Sequence, residues 1–123
     1  FNLNNKKQIV LDDDSIQIYK KGIIDALEEL VGLSSAEILL LPVNLSEKHN
    51  SIYKKSDKNR WIAIQILNET FKEFASKYEE VEFLDLNTKF QGFKTSDYIF
   101  DSCHLTSKGA ELQSQIIYDF LYK

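Results

Sequence analysis

Residues 36–43 (AEILLLPV) form the most hydrophobic run of the chain and limit the folds that are open to it. A strand that is apolar along its whole length is typical of a position buried on both faces, as in a parallel sheet. Pro42, the only proline of the sequence, marks the exit from this run, because proline has no backbone N–H to offer a neighbouring strand. The sequence therefore predicts a buried parallel strand at this position.

The rest of the pattern alternates with this strand. Apolar residues recur at helical spacing in three segments, and two further short apolar runs are predicted as strands. The strands are predicted at residues 8–11, 36–43 and 81–86, the helices at 16–30, 61–78 and 106–122, with Thr106 as the cap of the third, and irregular segments at 44–56 and 87–100. Strand–helix alternation indicates an α/β fold, a three-layer α/β/α arrangement around a parallel sheet, and the 123 residues suit a single domain, residues 1–123. In such sheets functional groups are expected at the carboxyl ends of the strands.

Composition excludes several classes of protein. The net charge is −4, and the lysines are interleaved with acids, which argues against a nucleic-acid partner. No apolar run approaches the roughly 20 residues that a membrane-spanning helix needs. Cys103 is the only cysteine, so no intrachain disulfide is possible, a composition compatible with a reducing compartment and with secretion alike.

Asp101 and His104 carry the chemistry that the sequence suggests. An Asp three residues before a His, in a turn just ahead of a helix, can bring its carboxylate to the imidazole. The carboxylate would fix the tautomer of the ring, and the other ring nitrogen would serve as a general base. A bare D-x-x-H often occurs by chance, and the plainer interpretation is a surface Asp beside a helix cap with His104 as a bystander.

The longer phrase at residues 101–110, D-x-x-H-L-T-x-x-G-A, followed by an amphipathic helix, resembles the final block of SGNH/GDSL hydrolases. The order of elements over residues 8–122 is similar to the later half of that family. The resemblance implies a flavodoxin-like SGNH fold and an ester hydrolase or O-acyltransferase that acts through a serine–histidine–aspartate mechanism, with Asp101 and His104 in the last two roles. It also implies an acyl ester on a carbohydrate, lipid or cell-envelope polymer as substrate, and a mechanism that needs no metal or organic cofactor. It leaves the location open and is compatible with a soluble protein that is extracytoplasmic or associated with the cell envelope.

The nucleophile of that family is not visible here. The sequence has no Gly-Asp-Ser block, and the family's Gly-x-Asn-Asp block would fall on residues 12–15, which puts Asp14 where an oxyanion donor is needed. Ser15 lies at a predicted strand-to-helix turn and is a candidate nucleophile, although it is equally a candidate N-cap. We expect the chain, which lacks methionine, to be the later part of a domain whose first part lies outside it; the alternative is an inactive relative that kept only a binding role.

Two other classes of function remain open. Asp12, Asp13 and Asp85 would form a cation-binding acidic pocket in a receiver-like phospho-acceptor domain, whereas acids at a helix N-terminus are also favoured simply by the helix dipole. A non-enzymatic interaction module would use a set of aromatic residues to line a groove for a sugar or peptide, namely Tyr53, Trp61, Phe90, Phe93, Tyr98 and Phe100.

Overall fold

The computed structural model describes residues 11–90, 93, 95–98 and 104–122, without the side chains of residues 95 and 96. Helices account for 69% of the described residues. In chain order the elements are α1 (Asp13–Leu33), β1 (Ile38–Leu40), α2 (Glu47–Ser56), α3 (Lys58–Ala75), β2 (Val81–Phe83), α4 (Leu86–Lys89), α5 (Thr95–Tyr98) and α6 (Ser107–Leu121). Within the described part of the chain, no helix combines the length and the apolar character that a bilayer crossing requires.

The two strands pair in parallel, with Ile38 opposite Val81 and Leu40 opposite Phe83. Backbone hydrogen bonds flank the pair at both ends: the N–H of Ile38 donates to the carbonyl of Glu80 at 2.8 Å, and the N–H of Leu84 donates to the carbonyl of Leu40 at 3.0 Å. Helices α2 and α3 form the crossover that parallel strands require. The carboxyl ends of both strands consequently lie at the same edge.

The prediction of a three-layer α/β/α fold around a parallel sheet of the SGNH type is wrong. The described residues hold two strands of three residues each in a mostly helical chain. Residues 8–10 lie outside the described residues, and Leu11 is not in a strand. The run at residues 36–43 yields so short a strand because Pro42 cannot donate to a neighbour and Val43 pairs with a side chain of α3 instead.

The prediction of an irregular segment at residues 44–56 is also wrong, because α2 occupies most of it. Most residues of α2 are polar or charged and none is buried, so no apolar stripe revealed the helix. The helix is set by its N-cap: the Ser46 hydroxyl accepts the N–H of His49 at 3.1 Å and lies 2.8 Å from His49 Nδ1. In contrast, the predicted helices around α1, α3 and α6 are confirmed.

Alternating side chains of β1 face two apolar clusters. Leu40 packs with α1, α3 and β2 in the first cluster, whose buried members are Leu27, Leu40, Phe74 and Val81. Leu39 and Leu41 pack instead against the second cluster, which lies beside α6 and whose buried members are Leu84, Leu86, Phe90 and Tyr98. The strand pair is therefore covered by helices on both sides, and each buried large side chain contributes about 1.5–3 kcal/mol to the free energy of folding.

The contact between α5 and α6 is unusually close at Gly109. A Cβ atom on this residue would meet the backbone oxygen of Tyr98 and lie 2.8 Å from the Tyr98 Cβ. Glycine is therefore required by the approach of the two helices. Thr106, the predicted N-cap of α6, accepts the N–H of Gly109 at 3.0 Å and so fixes the first turn of the helix against Tyr98.

We expect Gly109→Ala to lower the free energy of unfolding by about 1–3 kcal/mol, because the methyl group forces a backbone carbonyl to move. The matched control is Gly22→Ala inside α1, where no atom lies within 4 Å of the added Cβ. That change should raise stability by about 0.5–1 kcal/mol, since alanine is the better helix former. Urea unfolding of both variants measures these changes in the free energy of unfolding. The same change at both positions would contradict the close approach of Gly109 to Tyr98.

Candidate functional site

A cleft of about 410 Å³ opens at the carboxyl ends of β1 and β2. Three parts of the chain enclose it: the segment that follows β1, the middle of α3, and the segment that follows β2. The described lining residues are Val43, Asn44, Leu45, Glu47, Asn50, Ile64, Gln65, Asn68, Asn87, Phe90, Phe93 and Tyr98. This is the edge of a parallel strand pair at which ligands commonly bind.

Carboxamides dominate the polar lining of the cleft. Five of the described lining residues are Asn or Gln, namely Asn44, Asn50, Gln65, Asn68 and Asn87, and Glu47 is the one charged residue among them. An amide offers both donors and acceptors without a net charge. The described lining includes no Ser, Thr or Cys, so this part of the wall can bind polar groups but does not itself supply a nucleophile.

Asn68 holds the chain where it leaves β1. Its Oδ1 accepts the N–H of Val43 at 2.8 Å, and its Nδ2 donates to the carbonyl of Val43 at 3.1 Å. The side chain thus makes the pair of hydrogen bonds that a neighbouring strand would otherwise make. The next residue, Asn44, has a buried Nδ2 with no hydrogen-bond partner among the described residues.

The opposite wall of the cleft is aromatic. The rings of Phe90 and Tyr98 stack with centroids 4.7 Å apart, and Phe93 meets Tyr98 edge-on at 6.5 Å. The Tyr98 hydroxyl lies 3.4 Å from the carbonyls of both Phe90 and Phe93. Phe90 and Tyr98 are buried members of the second apolar cluster, whereas Phe93 is 51% exposed at the margin of this wall.

The structure describes one half of the predicted catalytic pair. Asp101 lies outside the described residues, as does Cys103. His104 is described and exposed. Two residues later, the N–H of Thr106 donates to the carbonyl of Tyr98 at 2.9 Å, and the Thr106 hydroxyl donates to the carbonyl of Asp97 at 2.8 Å. The segment that carries Asp101 and His104 therefore starts and ends at the aromatic wall of the cleft.

Ser15 takes part in the cap of α1. Asp12 is the N-cap residue, and its Oδ1 accepts the N–H of Ser15 at 2.8 Å. Ser15 is not among the described lining residues of the cleft. It does lie at the same end of the fold, since the N–H of Leu11 donates to Asn59 Oδ1 in the first turn of α3 at 2.8 Å. Asp14, in the supposed oxyanion position, is exposed in the first turn of α1.

Two of the three acids of the receiver-like alternative act as helix caps, and the third, Asp13, lies in the first turn of α1. Asp12 caps α1, and Asp85 caps α4 by accepting the N–H of Thr88 at 3.3 Å and its hydroxyl at 2.8 Å. In the described ranges, no three side chains of His, Cys, Asp or Glu are grouped so that they could hold a metal ion. The three acids at residues 12–14 are accounted for by the dipole of α1, because they lie at its N-terminus, where negative charge is favoured.

Sequence reasoning located part of this site. It expected functional groups at the carboxyl ends of the strands and named Phe90, Phe93 and Tyr98 as candidates for a groove, and these three rings do line the cleft. Tyr53 and Trp61 are not among the described lining residues, and Phe100 lies outside the described residues. The carboxamides were missed, although Asn44 and Asn87 directly follow two of the predicted strands and so gave a signal.

Comparisons of the chain with protein-family models, with curated proteins and with solved structures found no match.

We expect Asn68→Leu to lower the free energy of unfolding by about 2 kcal/mol, because the N–H and the carbonyl of Val43 both lose their partner. The matched control is Asn50→Leu, which removes a solvent-exposed hydrogen bond of 3.0 Å from Trp61 Nε1 and should cost under about 1 kcal/mol. Chemical unfolding measures both. We call the two hydrogen bonds between Asn68 and Val43 the clamp. If Asn68→Leu lowered the free energy of unfolding no more than the control does, the clamp would not contribute to stability.

The carboxylate of Asp12 should titrate below its ordinary value of 3.8. The backbone N–H of Ser15 first, and then the Ser15 hydroxyl, stabilise the charged form and lower the pKa of Asp12. Because the pKa is lower in the folded chain, the cap stabilises the fold above the unfolded-state pKa and loses this effect as the pH falls through the folded-state value.

We therefore expect Ser15→Ala to raise the pKa of Asp12 part of the way towards 3.8 in an NMR titration, while the remaining backbone N–H keeps it lowered. Ser34→Ala at the other end of α1 is the control and should leave the pKa unchanged. If Ser15→Ala also left it unchanged, the Ser15 hydroxyl would not be engaged in the cap and would be available for chemistry.

Proposed function

We propose that the chain belongs to an ester hydrolase or O-acyltransferase in which His104 is the general acid and base and Asp101 orients it. Two observations support the proposal. The phrase at residues 101–110 resembles the last catalytic block of SGNH/GDSL enzymes. The hydrogen bond from Thr106 to the carbonyl of Tyr98 ties this block to the wall of a cleft large enough for a small acyl ester. The second observation carries the proposal.

In this reaction His104 accepts the proton of a nucleophilic hydroxyl as its oxygen bonds to the acyl carbon. The alcohol of the ester then leaves with the proton that His104 returns. Water or a second alcohol releases the acyl group by the same steps in reverse order, which gives hydrolysis or transfer. Asp101 holds the ring in one tautomer and stabilises its protonated form.

The nucleophilic serine is expected from a part of the protein outside the segment that clearly resembles the family, residues 101–110. The described lining of the cleft offers none, and Ser15 stays the candidate within the chain. Its position supports this choice, because α1 and α3 both begin at the end of the fold where the cleft opens, as the contacts of Leu11 with Asn59 and of Tyr19 with Ala63 indicate.

Hydrolysis of an aryl acetate tests the proposal. His104→Ala should reduce kcat about 10²- to 10⁴-fold, since a general base contributes that much. Asp101→Asn should reduce kcat with little change in KM. The matched control is His49→Ala, which removes the only other histidine, a residue engaged with Ser46 at the start of α2, and should leave kcat unchanged.

A fluorophosphonate probe tests for the serine in the same samples. Labelling that requires His104 supports acyl-serine chemistry, and its loss in Ser15→Ala would assign the nucleophile. Activity that falls equally in His49→Ala and His104→Ala reflects surface imidazole and contradicts the proposal, as does a folded protein with neither hydrolysis nor labelling.

That last outcome would favour a second candidate, a non-catalytic binding domain. The carboxamide and aromatic lining of the cleft supports it, because such a surface can hydrogen-bond and stack on an uncharged polar ligand without any chemistry. In this case substitution of Asn87 by Leu would weaken ligand binding, whereas His104→Ala would not.

A further inference from the structure

Basic side chains are concentrated at the junction of α2 and α3. Residues 47–60 contain five basic and two acidic side chains, a net charge of +3 in a chain whose total is −4. Lys48, Lys54, Lys55 and Lys58 are all exposed, and we call these four residues the basic corner. The rest of the chain carries −7, so the corner differs in sign from its surroundings.

The charges of the basic corner are not neutralised locally. Arg60 is paired with Asp57, since its Nε lies 3.1 Å from Asp57 Oδ2. The guanidinium group of Arg60 also lies over the ring of Tyr53. Among the described residues no acidic side chain is within ion-pair distance of the four lysines. Lys54 lies 5.5 Å from the centre of the Trp61 ring, an uncharged partner.

Helical periodicity divides α2 into three faces. Glu47 and Asn50 face the cleft. His49 and Tyr53, which are half-buried and contact each other edge-on, face the protein. The third face contains Lys48, Ile52 and Lys55, with Ile52 41% exposed between the two lysines. On this outward face Ile52 therefore has a positively charged side chain on either side of it, whereas Lys54 lies on the side of Asn50 near the Trp61 ring.

We propose that the basic corner docks on an anionic phospholipid surface. An exposed isoleucine between lysines matches a layer of negative headgroups over hydrocarbon, whereas a soluble polyanion would leave the isoleucine without an apolar partner. The overall charge of −4 does not prevent this docking, because at physiological salt charges further than about 8 Å from the contact are screened.

The docked orientation has a consequence for the cleft. Because α2 presents Glu47 and Asn50 to the cleft and Lys48 and Lys55 to the lipid, the mouth of the cleft lies beside the membrane surface. Molecules held at that surface would reach it along the plane of the headgroups. The docked orientation would be the same whether the cleft is catalytic or only binds a ligand.

Sedimentation with lipid vesicles tests the proposal. The full chain should bind vesicles of phosphatidylglycerol and phosphatidylcholine at about 0.1 M salt, lose this binding at about 0.5 M salt, where the screening length is only a few ångströms, and not bind pure phosphatidylcholine. Each lysine near the surface contributes about a fivefold increase in partitioning. The variant Lys48→Gln, Lys55→Gln, Lys58→Gln should therefore bind about a hundredfold more weakly.

The matched control neutralises three exposed lysines elsewhere, Lys72→Gln, Lys77→Gln and Lys89→Gln, with the same change in net charge. It should keep most of the binding. Equal loss in both triple variants, equal binding to neutral vesicles, or no binding by the wild-type chain would overturn the proposal. Binding of soluble polyphosphate through the same lysines without vesicle binding would also overturn it and assign the corner to a soluble polyanion.

Discussion

The hydrogen bonds between Asn68 and Val43 are the constraint on which the cleft depends. The chain leaves β1 at a point where Pro42 has no N–H and no third strand is described alongside. Asn68 supplies, from a helix, the donor and the acceptor that Val43 needs. The segment after β1 is thereby held away from the strand pair and over α3, and the space that opens beneath it is the cleft.

Tyr98 performs the corresponding task on the other side. Its ring packs in the second apolar cluster against Phe90, its carbonyl accepts the N–H of Thr106, and its backbone touches Gly109. One residue thus joins the aromatic wall, the segment that bears His104 and the start of α6. The segment that bears His104 is consequently held by core packing at the aromatic wall, and the segment after β1 is held by the hydrogen bonds of Asn68.

The sequence predicted those features that arise from periodicity over a long window. The apolar stripes of α1, α3 and α6 each run the length of a long helix, and Thr106 was identifiable as an N-cap. The helix α2 was missed because its stability comes from the Ser46 cap and from contacts with α3 rather than from an apolar stripe. The prediction of a three-layer sheet was wrong because the hydrophobicity of residues 36–43 indicates only that the segment is buried. A short buried connection is as hydrophobic as a long strand, so the run did not show how much of it would pair in a sheet.

For the candidate site, the sequence named three of the aromatic rings that line the cleft. It could not indicate Asn68, because nothing local distinguishes an amide that binds a backbone 25 residues away from one that faces water. The pairing of Asp101 with His104 stays a prediction, since Asp101 lies outside the described residues.

The close approach of Gly109 to Tyr98 also bears on how the protein is made. During synthesis the hydrogen bonds between Asn68 and Val43 can form once α3 has left the ribosome, whereas the second apolar cluster is covered only when α6 docks. A nascent chain that stops before α6 would keep its first apolar cluster but expose the second one. Such a product would expose apolar side chains and would have an incomplete cleft. Chaperones and proteases would therefore act on chains in which α6 has not docked.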